Sequence, residues 1–96
     1  MPATEENPEL SASDAAATAL SEVARLTMRN ALGATSVEPI EDGWLVEVEV
    51  LEERRIPSSA DMLALYQVEL DPGGELLAYR RTRRYGRGRS INESEG

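Results

Sequence analysis

Residues 44–51 read WLVEVEVL. Trp44, Val46, Val48 and Val50 alternate with Leu45, Glu47, Glu49 and Leu51. Period two over eight residues specifies a β-strand with one buried face, because successive side chains leave a strand on opposite sides. On a helix the same valines would be spread around the circumference. The Trp and Val side must therefore be covered, and the rest of the chain has to supply the cover.

A helix upstream can do so. Ser11 followed three residues later by Asp14 makes a capping-box start. Alanine fills the first turns and favours helix. Ala16, Leu20, Val23, Thr27 and Ala31 recur at steps of three or four and give one apolar face. Gly33 sits where a left-handed cap would close a helix from Ser11 to Leu32. The small alanines would let this helix lie close to a sheet.

The remaining segments read as strands and turns. Thr35 to Glu41 is a short strand, placed at an edge because Pro39 cannot donate to a ladder. Asp42-Gly43 is a two-residue hairpin signal, and a strand from Trp44 to Arg55 follows it. Ile56 to Asp61, broken by Pro57 and two serines, is a loop. Met62 to Leu70 is the third strand, with Met62, Ala64, Tyr66, Val68 and Leu70 inward and Leu63, Leu65, Gln67 and Glu69 outward. Asp71-Pro72-Gly73-Gly74 is a tight turn. Glu75 to Tyr85 is the fourth strand. The expected fold is α+β: one N-terminal helix packed on a four-stranded antiparallel meander, cystatin-like in arrangement. One domain spans 11–86, with polar tails at 1–10 and 87–96 that lack the apolar groups to offset ordering entropy.

Composition narrows the function classes. Ninety-six residues make one domain. The chain has no Cys, so it offers no disulfide, thiolate or zinc-thiolate chemistry, which suits a reducing cytoplasm. It also has no His and no Lys, leaving acid–base work to Asp, Glu or Tyr. No Gly-rich phosphate loop or calcium-loop spacing occurs. No cofactor or metal is expected, and no enzymatic activity. No apolar run reaches the ~18 residues of a membrane span. The opening MPATEENPEL is acidic and does not read as a signal peptide.

Charge is unevenly placed. Residues 1–79 carry four arginines against sixteen acids, a net −12, while residues 80–96 carry six arginines against two, a net +4. The overall −8 argues against general binding to nucleic acid or anionic membranes. The arginine run, Arg80, Arg81, Arg83, Arg84, Arg87 and Arg89 with Tyr79 and Tyr85, has three readings. It could pair across strands with Glu69 and the acidic second strand, or protect a sheet edge from strand addition. It could dock a protein, since Arg and Tyr are enriched at interfaces. It could bind single-stranded nucleic acid through a basic, aromatic strand. On the outward sheet face, Leu45, Leu51, Leu63 and Leu65, joined by Leu77 and Tyr79, are either an interface or a surface covered by the stems of long charged side chains. They leave a homodimer open. Glu47 and Glu49 are read as a solvated strand face rather than a catalytic or metal pair. Trp44 reads as core.

Four blocks together resemble the gas vesicle protein O family. They are Asp42-Gly43-Trp44 with the following Val-Glu-Val-Glu-Val; Glu53-Arg54-Arg55-Ile56-Pro57; Leu63-Ala64-Leu65-Tyr66-Gln67-Val68-Glu69-Leu70-Asp71; and Gly74 to Arg81 leading to Arg84-Tyr85 and Arg87-Gly88. The resemblance implies a cytoplasmic, non-enzymatic accessory protein required for gas vesicle formation, associated with gas vesicles and acting on other gas vesicle proteins. It carries over no catalytic residue. The candidate partner-binding residues are Arg54, Arg55, Arg80, Arg81, Arg83, Arg84, Tyr85, Leu45, Leu63 and Leu65. Reversing Arg81 and Arg83 to Glu is expected to weaken partner binding without unfolding the domain. A small nucleic-acid-binding module using the last strand is the alternative.

Overall fold

The computed structural model describes residues 10–88. The expected tails therefore lie outside the described residues, apart from Leu10, Arg87 and Gly88. One helix, α1 (Ala12–Thr27), precedes β1 (Asn30–Ile40), β2 (Gly43–Glu53), β3 (Met62–Leu70) and β4 (Leu76–Gly86), with a 3-10 turn at Ser58–Ala60 between β2 and β3. The strands form one antiparallel sheet in the order β1-β2-β3-β4. This is the α+β arrangement expected from the sequence.

The helix starts as read and stops earlier. Asp14 N–H donates to Ser11 Oγ at 3.1 Å, and the Asp14 carboxylate reaches back to the Ser11 N–H, completing the capping box. Closure falls at Met28, not Gly33. Met28 adopts the left-handed conformation (φ 61°) and its N–H donates to Ala24 O. Thr27 secures this end, donating its hydroxyl to Val23 O at 2.7 Å and accepting from Arg29 N–H at 3.2 Å. The chain then enters β1 at once, so β1 has eleven residues and Gly33 lies inside it at a register irregularity.

The buried stripe of α1 is Ala15, Ala19 and Val23; Val23 is on the expected face, while Ala15 and Ala19 take the places expected of Ala16 and Leu20. These three pack against Val46, Val48 and Val50 of β2 and Val68 and Leu70 of β3, all fully buried. Trp44 is half-buried at the margin of this core. The helix lies chiefly over β1 and β2 and touches β4 least. A helix is about 10 Å wide and four strands span more than ~14 Å, so one helix leaves part of the sheet bare.

Two turns close the opposite end. Ile40 pairs with Gly43, so Glu41 and Asp42 are the turn residues, and only Gly43 has a positive φ, of 144°. An Asp42-Gly43 turn of the expected type needs positive φ at both positions, and Asp42 does not supply it. The β3–β4 turn is tied by Asp71, whose Oδ1 accepts from Gly73 N–H and Glu75 N–H, each at 2.9 Å. Leu10 N–H donates to Pro72 O at 3.2 Å, so the start of the helical segment is anchored at this same end.

Candidate docking surface on the last strand

β4 places its arginines on two faces. Ala64 faces Arg84 and Tyr66 faces Arg81, while Leu65 faces Arg83 and Gln67 faces Arg80. A bulge between Leu65 and Tyr66 inserts Thr82, whose hydroxyl donates to Leu65 O at 3.2 Å. Strict alternation would put Arg81 and Arg83 on one side. The extra residue sends Arg81 and Arg84 to the helix side, and Arg80 and Arg83 outward.

On the helix side the arginines converge on Glu52. Arg84 Nε donates to Glu52 Oε1 at 2.7 Å and an Arg81 terminal NH to Glu52 Oε2 at 2.8 Å. Arg29, just past the helix, donates to the Glu52 carbonyl. Glu52 continues the inward set of β2, at a register irregularity near the end of the strand, with its side chain 10% exposed. Burial pushes the Glu52 carboxyl up, but the Arg84 and Arg81 guanidiniums outweigh it and hold it below the usual range. This carboxylate was missed in the sequence. A signal existed, since alternation from Trp44 places position 52 on the apolar face, where an acid needs a cation. Tyr79 is also on this side, 39% exposed and stacked on Tyr66 at 6.1 Å between ring centres, not on the outward face as expected.

The cross-strand pairing expected at Glu69 does not form, because Glu69 faces Ala78. The arginine pairs go to Glu52 and Glu53 instead. Reversing Arg81 would set carboxylate against carboxylate, so Arg81 reports on the fold before it reports on any partner.

The outward face carries Arg80, Arg83, Tyr85, Leu45 and Leu65. Arg80 donates to Gln67 Oε1 at 2.8 Å, and the Arg83 guanidinium lies 5.5 Å from the centre of the Tyr85 ring. Tyr85 spans β3 to donate its hydroxyl to Glu49 Oε2 at 2.6 Å. Burial, with this bond to a carboxylate, pushes the Tyr85 phenol above its ordinary value. Among the described residues neither Arg80 nor Arg83 has an acidic partner. Leu45 and Leu65 are half-buried. Leu63 and Leu51, opposite one another on β3 and β2, are buried at 4% and 8%. They support this face from beneath and do not present themselves. Leu77 is exposed at a second bulge.

Arg54 and Arg55 are exposed in the β2–β3 loop. The Arg55 side chain bonds Glu53 at 3.0 Å, a contact that holds Glu53 below the usual carboxylate range. Asp61, read only as a loop residue, is buried and accepts Arg55 N–H on Oδ1 at 2.7 Å. Among the described residues no cluster of three or more metal-ligating side chains occurs. No helix among them is long and apolar enough to cross a membrane.

Fold and surface together define a small α+β domain whose last strand is lined with arginine. The chain belongs to the gas vesicle synthesis protein GvpO family, whose model matches residues 1–91. Gas vesicle protein O of Streptomyces sp. (strain CB03234) is 53% identical over 72 residues, 75% of this chain and 56% of that relative. Gas vesicle protein O1 of Halobacterium salinarum is 34% identical over 56 residues, 58% of this chain and 47% of the relative. Gas vesicle protein O of Haloferax mediterranei is 36% identical over 47 residues, covering 49% and 34%. The chain spans about half the length of the first two of these relatives. No solved structure matches the chain, so none supports the cystatin-like comparison.

Proposed function

We propose that this chain is a cytoplasmic, non-enzymatic accessory factor in gas vesicle formation that works by binding other gas vesicle proteins. The family carries the vesicle role. The observation that supports docking is the outward face of β4, where Arg80 and Arg83 stand beside Tyr85, Leu45 and Leu65 without an acidic partner among the described residues. Guanidiniums beside partly covered apolar surface suit an acidic protein partner. Arg54 and Arg55 extend the basic surface around the end of the sheet.

The test is complementation in a gas vesicle gene cluster lacking this gene, read by light scattering. The intact protein restores vesicles, and the Arg80→Glu/Arg83→Glu double variant does not. Because both side chains are exposed, the purified variant melts within about 3 °C of the parent. Vesicles at the parental level with the double variant would remove this face from the function. Vesicle formation without the gene would remove the accessory role.

Arg83 over the Tyr85 ring also suits a stacked base. Binding to a labelled single-stranded oligonucleotide, lost steeply with added salt, would favour that reading. No binding at low salt removes it.

A further inference from the structure

The two ends of the sheet carry opposite charge. Glu38, Glu41, Asp42, Glu69, Asp71 and Glu75 lie at the end with both hairpin turns, on or beside them. At the other end α1 finishes and β2 passes to β3. Arg54 lies in the loop there and five more arginines have their head groups at this end (29, 55, 81, 84 and 87), against Glu52, Glu53 and Asp61, a net +3. The ends are roughly 30 Å apart, at ~3.3 Å per residue along β2.

The basic end presents a knob. Ile56 is 98% exposed, beside Pro57 at the tip of the β2–β3 loop. The loop is held from within. Asp61, 3% exposed, accepts Arg55 N–H on Oδ1 at 2.7 Å, Arg87 N–H on its carbonyl at 2.8 Å and the Arg87 guanidinium on Oδ2 at 3.3 Å. Ala60 N–H donates to Pro57 O and Asp61 N–H to Ser58 O, each at 2.9 Å. A loop backbone held by a buried carboxylate has less ordering entropy to lose when its tip binds.

The acidic end presents a hole. Leu10, Pro39, Ile40, Glu41, Trp44 and Pro72 line a hollow of about 250 Å³. That is the volume of roughly eight waters, room for one branched side chain and its neighbour.

We propose that the chain binds a second copy of itself, with Ile56–Pro57 of one copy seated in the Trp44 hollow of the other and Arg54 and Arg55 set against Glu41 and Asp42. The hole offers the knob the apolar edges of Pro39, Ile40, Trp44 and Pro72, and the charges that flank knob and hole are opposite. With the two features at opposite ends of the sheet, a chain's own Ile56 cannot reach its own hollow. The contact is made between copies, closing as a reciprocal pair or continuing as a chain. It stands independently of the vesicle role.

Sedimentation equilibrium and Trp44 emission test it together, since Trp44 is the chain's one tryptophan and lines the hole. The wild-type mass is expected to rise with concentration to about twice the monomer or beyond. The emission shifts to the blue in step, and 1 M salt weakens both. Ile56→Ser, at an exposed position, stays monomeric with its far-UV spectrum unchanged. Ile40→Arg blocks the hole and also stays monomeric. Mixed, these two variants form a one-to-one complex, because each keeps the half that the other lacks. A wild type monomeric at all concentrations overturns the proposal. So does Ile56→Ser that associates like the parent, or a mixture that remains monomeric.

Discussion

Gly43→Ala is expected to cost about 3 kcal/mol, lowering the melting temperature by roughly 15 °C in a domain of this size. Gly43 has φ 144°, a conformation that L side chains rarely adopt. A Cβ there would also lie 1.9 Å from Leu70 O and 2.9 Å from Asp71 Cα. Both atoms are backbone, so no side chain can swing aside. Relief requires the end of β3 to move off β2, which breaks the Trp44–Leu70 pairing over the core. Gly33→Ala is the control. Its Cβ would meet nothing within 4 Å, so this change is expected to stay within about 0.5 kcal/mol. Thermal and urea unfolding of the three proteins gives the comparison. A Gly43→Ala protein melting within about 3 °C of the parent would show that the turn relaxes at little cost.

That contrast also marks what the sequence could reveal. Period-two alternation located β2 and β3, and the bounds of β3 coincide with the reading, because a buried strand face leaves a strong pattern. Turn residues gave the meander, since Gly, Pro and Asp between apolar runs have mechanical reasons to be there. The helix end was misplaced because Gly33 advertised a cap, whereas Met28 adopts the left-handed conformation without any compositional sign. The candidate surface was legible only as a run of arginines. Its division between two faces depends on a single inserted residue, Thr82, and a bulge has no reliable sequence signature where every neighbour is polar. Leu51 and Leu63 were expected on an open face. They are buried because a tyrosine on β4 reaches across to a glutamate on β2, a contact between residues 36 positions apart. Asp61 was hidden for the same reason, its partners lying six and 26 positions away.

Glu52→Gln is expected to destabilise the domain by about 2 kcal/mol at neutral pH, with a fall in melting temperature on the order of 10 °C. The substitution keeps the shape of the side chain and removes only its charge. Arg81 and Arg84 then share a covered position with a neutral amide, and Arg29 remains beside them. The cost is set below that of a fully buried pair because both guanidiniums are about half exposed and water recovers part of the loss. The pH dependence gives an independent check. Glu52 titrates below its ordinary value of 4.5 in the folded state. Its stabilisation is therefore full above about pH 4.5 and disappears as the pH falls through the depressed value. Wild type should lose more stability than Glu52→Gln between pH 7 and pH 3, so the gap between the two narrows in acid. Glu53 is also held below the usual range, chiefly by Arg55, a contact that both proteins keep. Urea unfolding at the two pH values measures all four stabilities. Equal stability at pH 7, or parallel losses on acidification, would mean that the arginines of β4 hold their positions without this carboxylate.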